Sequence, residues 1–263
     1  MQPPSHVPVS APVSTLYDPR WAGPPATASV RYERLFFPAA GIAVALLVFA
    51  GFARTYYLSH WVAQPARAPE FTPLLQAHAA LFTLWILLGA VQPTLVAAGR
   101  IALHVRLGIA GAFLAALVWL LGNIASAQAM NVGYRGVGDP HAFYAVTFFS
   151  MQAFGLIVML GILKRKAADT HKRLLLLSSA AILEAAVGRL PLDFIAQAAP
   201  LSFYLGADLV ILAGIAFDKL SRGEVHKVWV WGGGALVMSQ ILRVAIMHSE
   251  PWLAFARAVA DLV

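Results

Sequence analysis

The run LGIAGAFLAALVWLLGNIASAQAM, Leu107–Met130, decides the fold: it holds 24 consecutive residues without one charged side chain. At about 1.5 Å per helical residue, roughly 20 apolar residues cross the hydrocarbon core of a bilayer. Comparable runs recur along the chain. The reading predicts helices over Leu35–Leu58, Leu74–Ala98, Leu107–Met130, Ala142–Leu163, Arg173–Leu190, the stretch from Pro200 to Phe217, and Val228–Met247. The breaks fall at turn signals: Pro65, Pro69 and Pro73, then Gly133–Gly136 and Gly138–Pro140, then Pro191 and Pro251. The expected fold is therefore all-α, a polytopic bundle of seven transmembrane helices.

Composition agrees. Of 263 residues, 60% are hydrophobic and 12% charged, against about 25% charged in an ordinary soluble domain. A mean hydropathy of +0.72 leaves too little polar material to cover a water-soluble surface. The net charge of +7 does not indicate nucleic acid, because no basic stripe interleaved with aromatics is present. It fits cations gathered at the cytoplasmic ends of membrane helices. The absence of cysteine removes disulfides, thiolate metal sites and cysteine nucleophiles.

Met1 to Ser29 are rich in Pro, Ser, Ala and Val and lack the continuous apolar core of a secretory signal. They read as a disordered cytoplasmic tail, residues 1–30, ahead of one membrane domain, residues 31–263. With that tail inside, the inner segments hold 13 of the 19 Lys and Arg residues, including all five lysines. The asymmetry predicts a cytoplasmic N-terminus and a periplasmic C-terminus, which an odd number of passages also requires.

Charges inside a membrane are costly and are functional candidates by default. Four fall within the apolar runs: Glu184, Arg189, Asp208 and Arg243. From the helical rise, Glu184 lies about 16 Å and Arg189 about 24 Å beyond Arg173, Arg243 about 25 Å beyond His226, and Asp208 about 10 Å in from the opposite end. Their charges sum to zero. Gln240, one turn before Arg243, shares its face. Together with His78, about one turn inside the second helix, they form a candidate polar pocket open to the periplasm. Its arginines would hold a small anionic ligand, and its carboxylates and imidazole would accept protons. The plain structural reading is an ion-pair network that fixes helix packing.

Histidines also invite a metal reading, since imidazole ligates haem iron, copper and zinc. His78 and His141 are the best pair, and haem b or a metal ion is the cofactor they would carry. His60 and His248 end helices. Asn123 and Gln128 add polarity in the same half. Three others, His104, His171 and His226, each stand beside a cation where an outward-going helix begins, and interfacial anchoring explains that repetition best. Gly232–Gly234 lack the context of a phosphate loop and suit close helix packing. A retinal site would need a lysine midway along the last helix, and the only lysine there, Lys227, sits at its end.

The run His78-Ala-Ala-Leu-Phe-Thr-Leu-Trp85, then Gln92, then Gly99-Arg100-Ile-Ala-Leu-His104-Val-Arg106-Leu-Gly108, resembles uncharacterised bacterial multi-pass inner-membrane proteins. His171-Lys-Arg173-Leu and Gly188-Arg189-Leu-Pro191 extend the likeness over most of the chain after Leu35. A looser similarity links the helix-boundary histidines to cytochrome b561-type haem proteins. The resemblance implies a bacterial inner-membrane protein. Three functions stay open: a small-ligand or ion-handling protein, a haem or metal redox protein, and a non-catalytic subunit of a membrane complex.

Overall fold

The computed structural model describes residues 28–64, 72–132 and 138–263. Among them all regular structure is helical. Helix α1 spans Ala28–Phe52 and runs into a wide helical turn, Ala53–Tyr57. Then come α2 (Pro73–Ala97), α3 (Ile101–Val132) and α4 (Pro140–Leu163). The next stretch is broken: α5 (Ala168–Ala180) and the short α6 (Glu184–Val187) are separated by a turn over 181–183. Short α7 (Asp193–Gln197) and a tight turn (Leu201–Tyr204) lead into α8 (Leu205–Arg222). A second wide turn (Val228–Gly233) continues as α9 (Gly234–Ile246), and α10 (Glu250–Ala260) ends the chain.

The starts and stops follow from local chemistry. Thr72 caps α2, its hydroxyl accepting from Leu75 N at 3.2 Å, and Asp139 caps α4, accepting from His141 N at 2.9 Å. Each cap precedes a proline in the first turn, where a missing N–H costs nothing. Gly99 and Gly223, at φ +72° and +78°, end α2 and α8 in the left-handed conformation that glycine adopts without strain.

Six described segments are long and apolar enough to cross a membrane: Tyr32–Tyr57, Pro73–Ala97, Ile101–Val132, Pro140–Leu163, Leu201–Arg222 and Val228–Ile246. The chain is thus built as a multi-pass membrane protein. Three expectations need correction. The fifth predicted helix, Arg173–Leu190, is interrupted at 181–183 and its helical part ends at Val187. Pro251 does not close the last helix region; it sits in the first turn of α10. Helix α1 begins at Ala28, inside the stretch expected to be a tail, while residues 1–27 lie outside the described residues. So do Pro65, Pro69 and the Gly133–Gly136 turn signal.

Consecutive helices α1 to α5 pack side by side, and α5 also meets α2, α1, α8 and the turn before α9. It is the axis of the bundle. From Arg173 to Val187 almost every residue is buried. Helices α2 and α3 present long apolar faces outward, Leu84, Leu87, Phe113 and Leu117 among them, as lipid contact requires. Helices α1 and α2 approach closely at Gly41, where a Cβ would stand 2.7 Å from the Gly89 carbonyl oxygen. Gly51 likewise lies directly on the Ala186 backbone, seating α1 on α6. Small residues at such crossings are how membrane helices gain contact area.

Candidate functional site

Two polar clusters sit at opposite ends of the buried fifth stretch. The first forms where α5 gives way to α6. Glu184 opens α6 and is 6% exposed; Arg243, on α9, is 2% exposed. The Arg243 guanidinium is held on every side. Its Nη1 donates to Ser150 Oγ at 2.6 Å and to the Val146 carbonyl at 3.3 Å. Its Nη2 donates to Ser239 Oγ at 2.9 Å and its Nε to the Ser239 carbonyl at 3.2 Å. The Tyr204 ring lies 5.3 Å from the guanidinium carbon. Ser150, wholly buried, also lies beside Glu184. Its hydroxyl accepts from the arginine and is free to turn its proton toward the carboxylate. The buried cation and anion therefore flank one hydroxyl, in a place where neither is tolerable unpaired.

Beside this unit, Gln240 on α9 lies next to Asp208 on α8. Asp208 Oδ1 is shielded and has no hydrogen-bond partner among the described residues. Of the residues expected in the pocket, the structure sets Glu184 near Arg243, and Asp208 near Gln240, which lies one turn before Arg243 on α9. Ser150, Ser239 and Tyr204, which complete the cluster, carried no signal in the sequence. Serine in an apolar helix ordinarily bonds back to its own backbone.

Arg189 and His78 flank this cluster, the Arg189 charge acting on both Glu184 and His78. Arg189 stacks on Phe52 at 4.6 Å and donates to the Ala185 carbonyl at 2.6 Å. His78 lies on α2 against the Phe82 ring, centroids 4.1 Å apart, turned toward the Leu121 backbone and sensing the Arg189 charge. Its Nδ1 is shielded without a partner among the described residues. His141, in the first turn of α4, is 3.4 Å from the Asp139 carboxylate, and its carbonyl accepts the Trp252 indole N–H at 2.9 Å. His78 and His141, the pair expected to hold haem or a metal, have separate surroundings on different helices. Among the described residues no three His, Asp or Glu side chains converge as metal ligands would.

The second cluster was not anticipated. At the lysine-rich end, Arg173 of α5 forks onto Asp218 of α8, with Nε 2.9 Å from Oδ2 and Nη2 closer still to Oδ1. Neither side chain has any exposed surface. Around them Lys172 reaches Glu33 and Asp169 at 2.7 Å each, and Arg222 reaches the same two carboxylates at 2.6 and 2.9 Å. Burial would raise the Asp169 carboxyl, but hydrogen bonds and charge from Lys172 and Arg222 outweigh it and hold the group at about 2. Burial, then the Arg173 charge, push the His226 imidazole below its usual range, against the pull of Asp218 and Asp169. The two remaining helix-boundary histidines make local contacts. His171 Nδ1 lies 2.8 Å from the Gly161 carbonyl, and the Gln92 amide reaches His104 Nδ1 at 2.7 Å. Their rings stand edge to face, 6.4 Å apart.

Two shallow grooves of about 500 Å³ lie elsewhere, one against Leu35 and Phe217 and one against Trp119 and Gln152. Neither is lined by Glu184 or Arg243. No protein-family model, curated protein or solved structure matches this chain.

Proposed function

We propose that the chain is an integral inner-membrane protein that crosses the bilayer seven times and handles a small anion or ion together with protons. The broken α5–α6 stretch is the fifth passage in this reading, and the N-terminus is cytoplasmic. Support for the orientation comes from the turn after α4, which carries Lys164, Arg165 and Lys166, and from the end of α8 and the turn that follows, which carry Lys219, Arg222 and Lys227. The observation that carries the functional reading is Glu184, a buried carboxylate placed at a helix break with the Arg243 charge and Ser150 beside it. Interrupted helices at membrane depth are tolerated where they are buried in protein or line a cavity, and transporters form their sites on them. In this reading Glu184 accepts and releases a proton, and Arg243 offers the positive charge that an anion meets when the carboxylate is neutral. Asp208 and Gln240 extend the polar surface toward the periplasmic side.

The test is proton movement in liposomes holding the purified protein and a trapped pH-sensitive dye, under an imposed potential. Wild-type protein passes protons, and Glu184→Gln, with the hydrogen-bonding shape kept and the charge removed, does not. A folded Glu184→Gln protein that behaves as wild type, or a silent wild type, defeats the reading.

A further inference from the structure

The lysine-rich end of the bundle is shut by two layers, and both have the parts of a device with a second position. The outer layer is charge. Glu33, Asp169 and Asp218 meet Lys172, Arg173 and Arg222, so three carboxylates face three cations drawn from α1, α5 and α8. The His226 backbone N–H donates to Asp218 Oδ2 at 3.2 Å and ties in the approach to α9. The Phe37 ring lies 5.1 Å from Lys172 Nζ and 5.6 Å from the Arg173 guanidinium, covering the network from below.

The inner layer is Trp229. It is 1% exposed and lies on Gly214, where a methyl group would run into the ring. Its indole N–H is buried with no hydrogen-bond partner among the described residues. A buried donor left unmade is a cost that the fold carries in this arrangement. The residue rides on the wide turn Val228–Gly233, which with Gly234 contains three consecutive glycines. Such widened turns concentrate at functional positions, and glycine absorbs backbone rotation that other residues resist. Buried ion pairs add little stability over a packed apolar core, and their best-attested use is to select one arrangement over another.

Position completes the case. Arg173 and Glu184 are eleven residues apart on the same buried stretch, about 16 Å as helix. The turn over 181–183 separates the half of this stretch that bears the lock from the half that bears Glu184. We infer that the Arg173–Asp218 network and Trp229 form a gate between the lysine-rich side of the membrane and the Glu184 site, captured closed. Opening parts α5 from α8, swings Trp229 off Gly214 about the glycine turn, and gives the indole N–H a partner. The inference rests on Glu184 being the working site, though its test does not.

Because the chain has no cysteine, a single Leu177→Cys is a unique reporter. Leu177 is fully buried beyond the lock, with its Cδ2 3.0 Å from where a Gly232 Cβ would stand. The Leu177→Cys protein in liposomes is treated with a membrane-impermeant maleimide from either side. Slow labelling is expected from both sides. Adding Asp218→Asn raises labelling from the lysine-rich side alone, by about tenfold for a modest shift toward the open form. Arg222→Gln, at a partly exposed position that leaves the buried pair intact, raises it by a smaller factor and serves if Asp218→Asn does not fold. Labelling that stays unchanged in the folded variants, or that rises equally from both sides, overturns the gate. Proton flux is read on the same preparations. One-sided labelling with flux indifferent to Glu184→Gln refutes the site and keeps the gate, and the reverse pattern refutes the gate alone.

Discussion

Ser150 is the residue on which the Arg243 charge leans most closely, and its hydroxyl stands beside Glu184. Ser150→Ala leaves Arg243 Nη1 with the Val146 carbonyl alone at 3.3 Å and removes a hydroxyl from beside Glu184. The expected loss is about 1–3 kcal/mol, read as a lower melting temperature in detergent, with Ser150→Thr restoring most of it. Gly51→Ala forces a methyl onto the Ala186 backbone and should cost about 1–3 kcal/mol by overpacking. At the other end, pH acts through Asp169. Its folded pKa, about 2, lies below the ordinary 3.8, so its contribution is present above 3.8 and is lost as pH falls toward 2. His226 is also lowered, from 6.5, so its contribution is complete above 6.5 and declines as the solution is acidified below it. Thermal melts from neutral to acid pH should show both losses, and Asp169→Asn should remove the lower one. At this scale the sequence displayed Glu184, Asp208, Gln240 and Arg243, because a charge or amide in an apolar run stands out. Arg173 reads in the sequence only as an interfacial cation beside His171, since it lies where a helix begins. Height along a helix does not show which neighbours surround it, and Arg173 is enclosed by α1 and α8.

Elements were legible where apolar length alone settles them. Helices α2, α3 and α4 fall within a few residues of expectation apart from the start of α3, which takes in His104 and Arg106. The fifth stretch was harder. Its helical propensity continues through Ala180-Ala181-Ile182-Leu183, and no proline or glycine marks the break at 181–183. The cause is tertiary: α6 is drawn onto α1 at Gly51 and onto α8 at Gly206, whose Cβ would meet Val187 at 2.8 Å. Pro251 misled in the opposite direction, since a proline can end one helix or begin the next. Helix α10 is held by Trp252, which packs its ring 5.3–5.8 Å from Tyr144, Phe148, Phe149 and Phe255. Trp252→Ala should cost about 3–5 kcal/mol and speed hydrogen exchange along α10, with Trp252→Phe intermediate. Unchanged exchange in Trp252→Ala would show that α10 is anchored by Asn131, whose amide donates to the Ala260 carbonyl at 3.1 Å.

For the molecule as a whole, the distribution of charge makes a topological prediction. A cysteine placed at Lys166, between α4 and α5, should react with an impermeant maleimide in intact cells only after permeabilisation. One placed at Ala198, between α7 and α8, should react from outside. The opposite pattern would invert the proposed orientation. One feature of the bundle also governs how it is made. Arg173 finds its partner 45 residues later in the chain, so α5 leaves the ribosome while Asp218 is still being synthesised or is yet to emerge. Arginine costs about 2.5–3.5 kcal/mol at a helix centre on insertion scales and less near the interface, where Arg173 lies, while Glu184 sits deeper in the same stretch and meets Arg243 only after α9 is made. In the proposed seven-passage topology the fifth passage therefore waits beside the translocation machinery and enters the bilayer with α8 and α9. A reporter fused after Pro200 should remain on the lysine-rich side, and one fused after Ile246 should find the fifth passage in place.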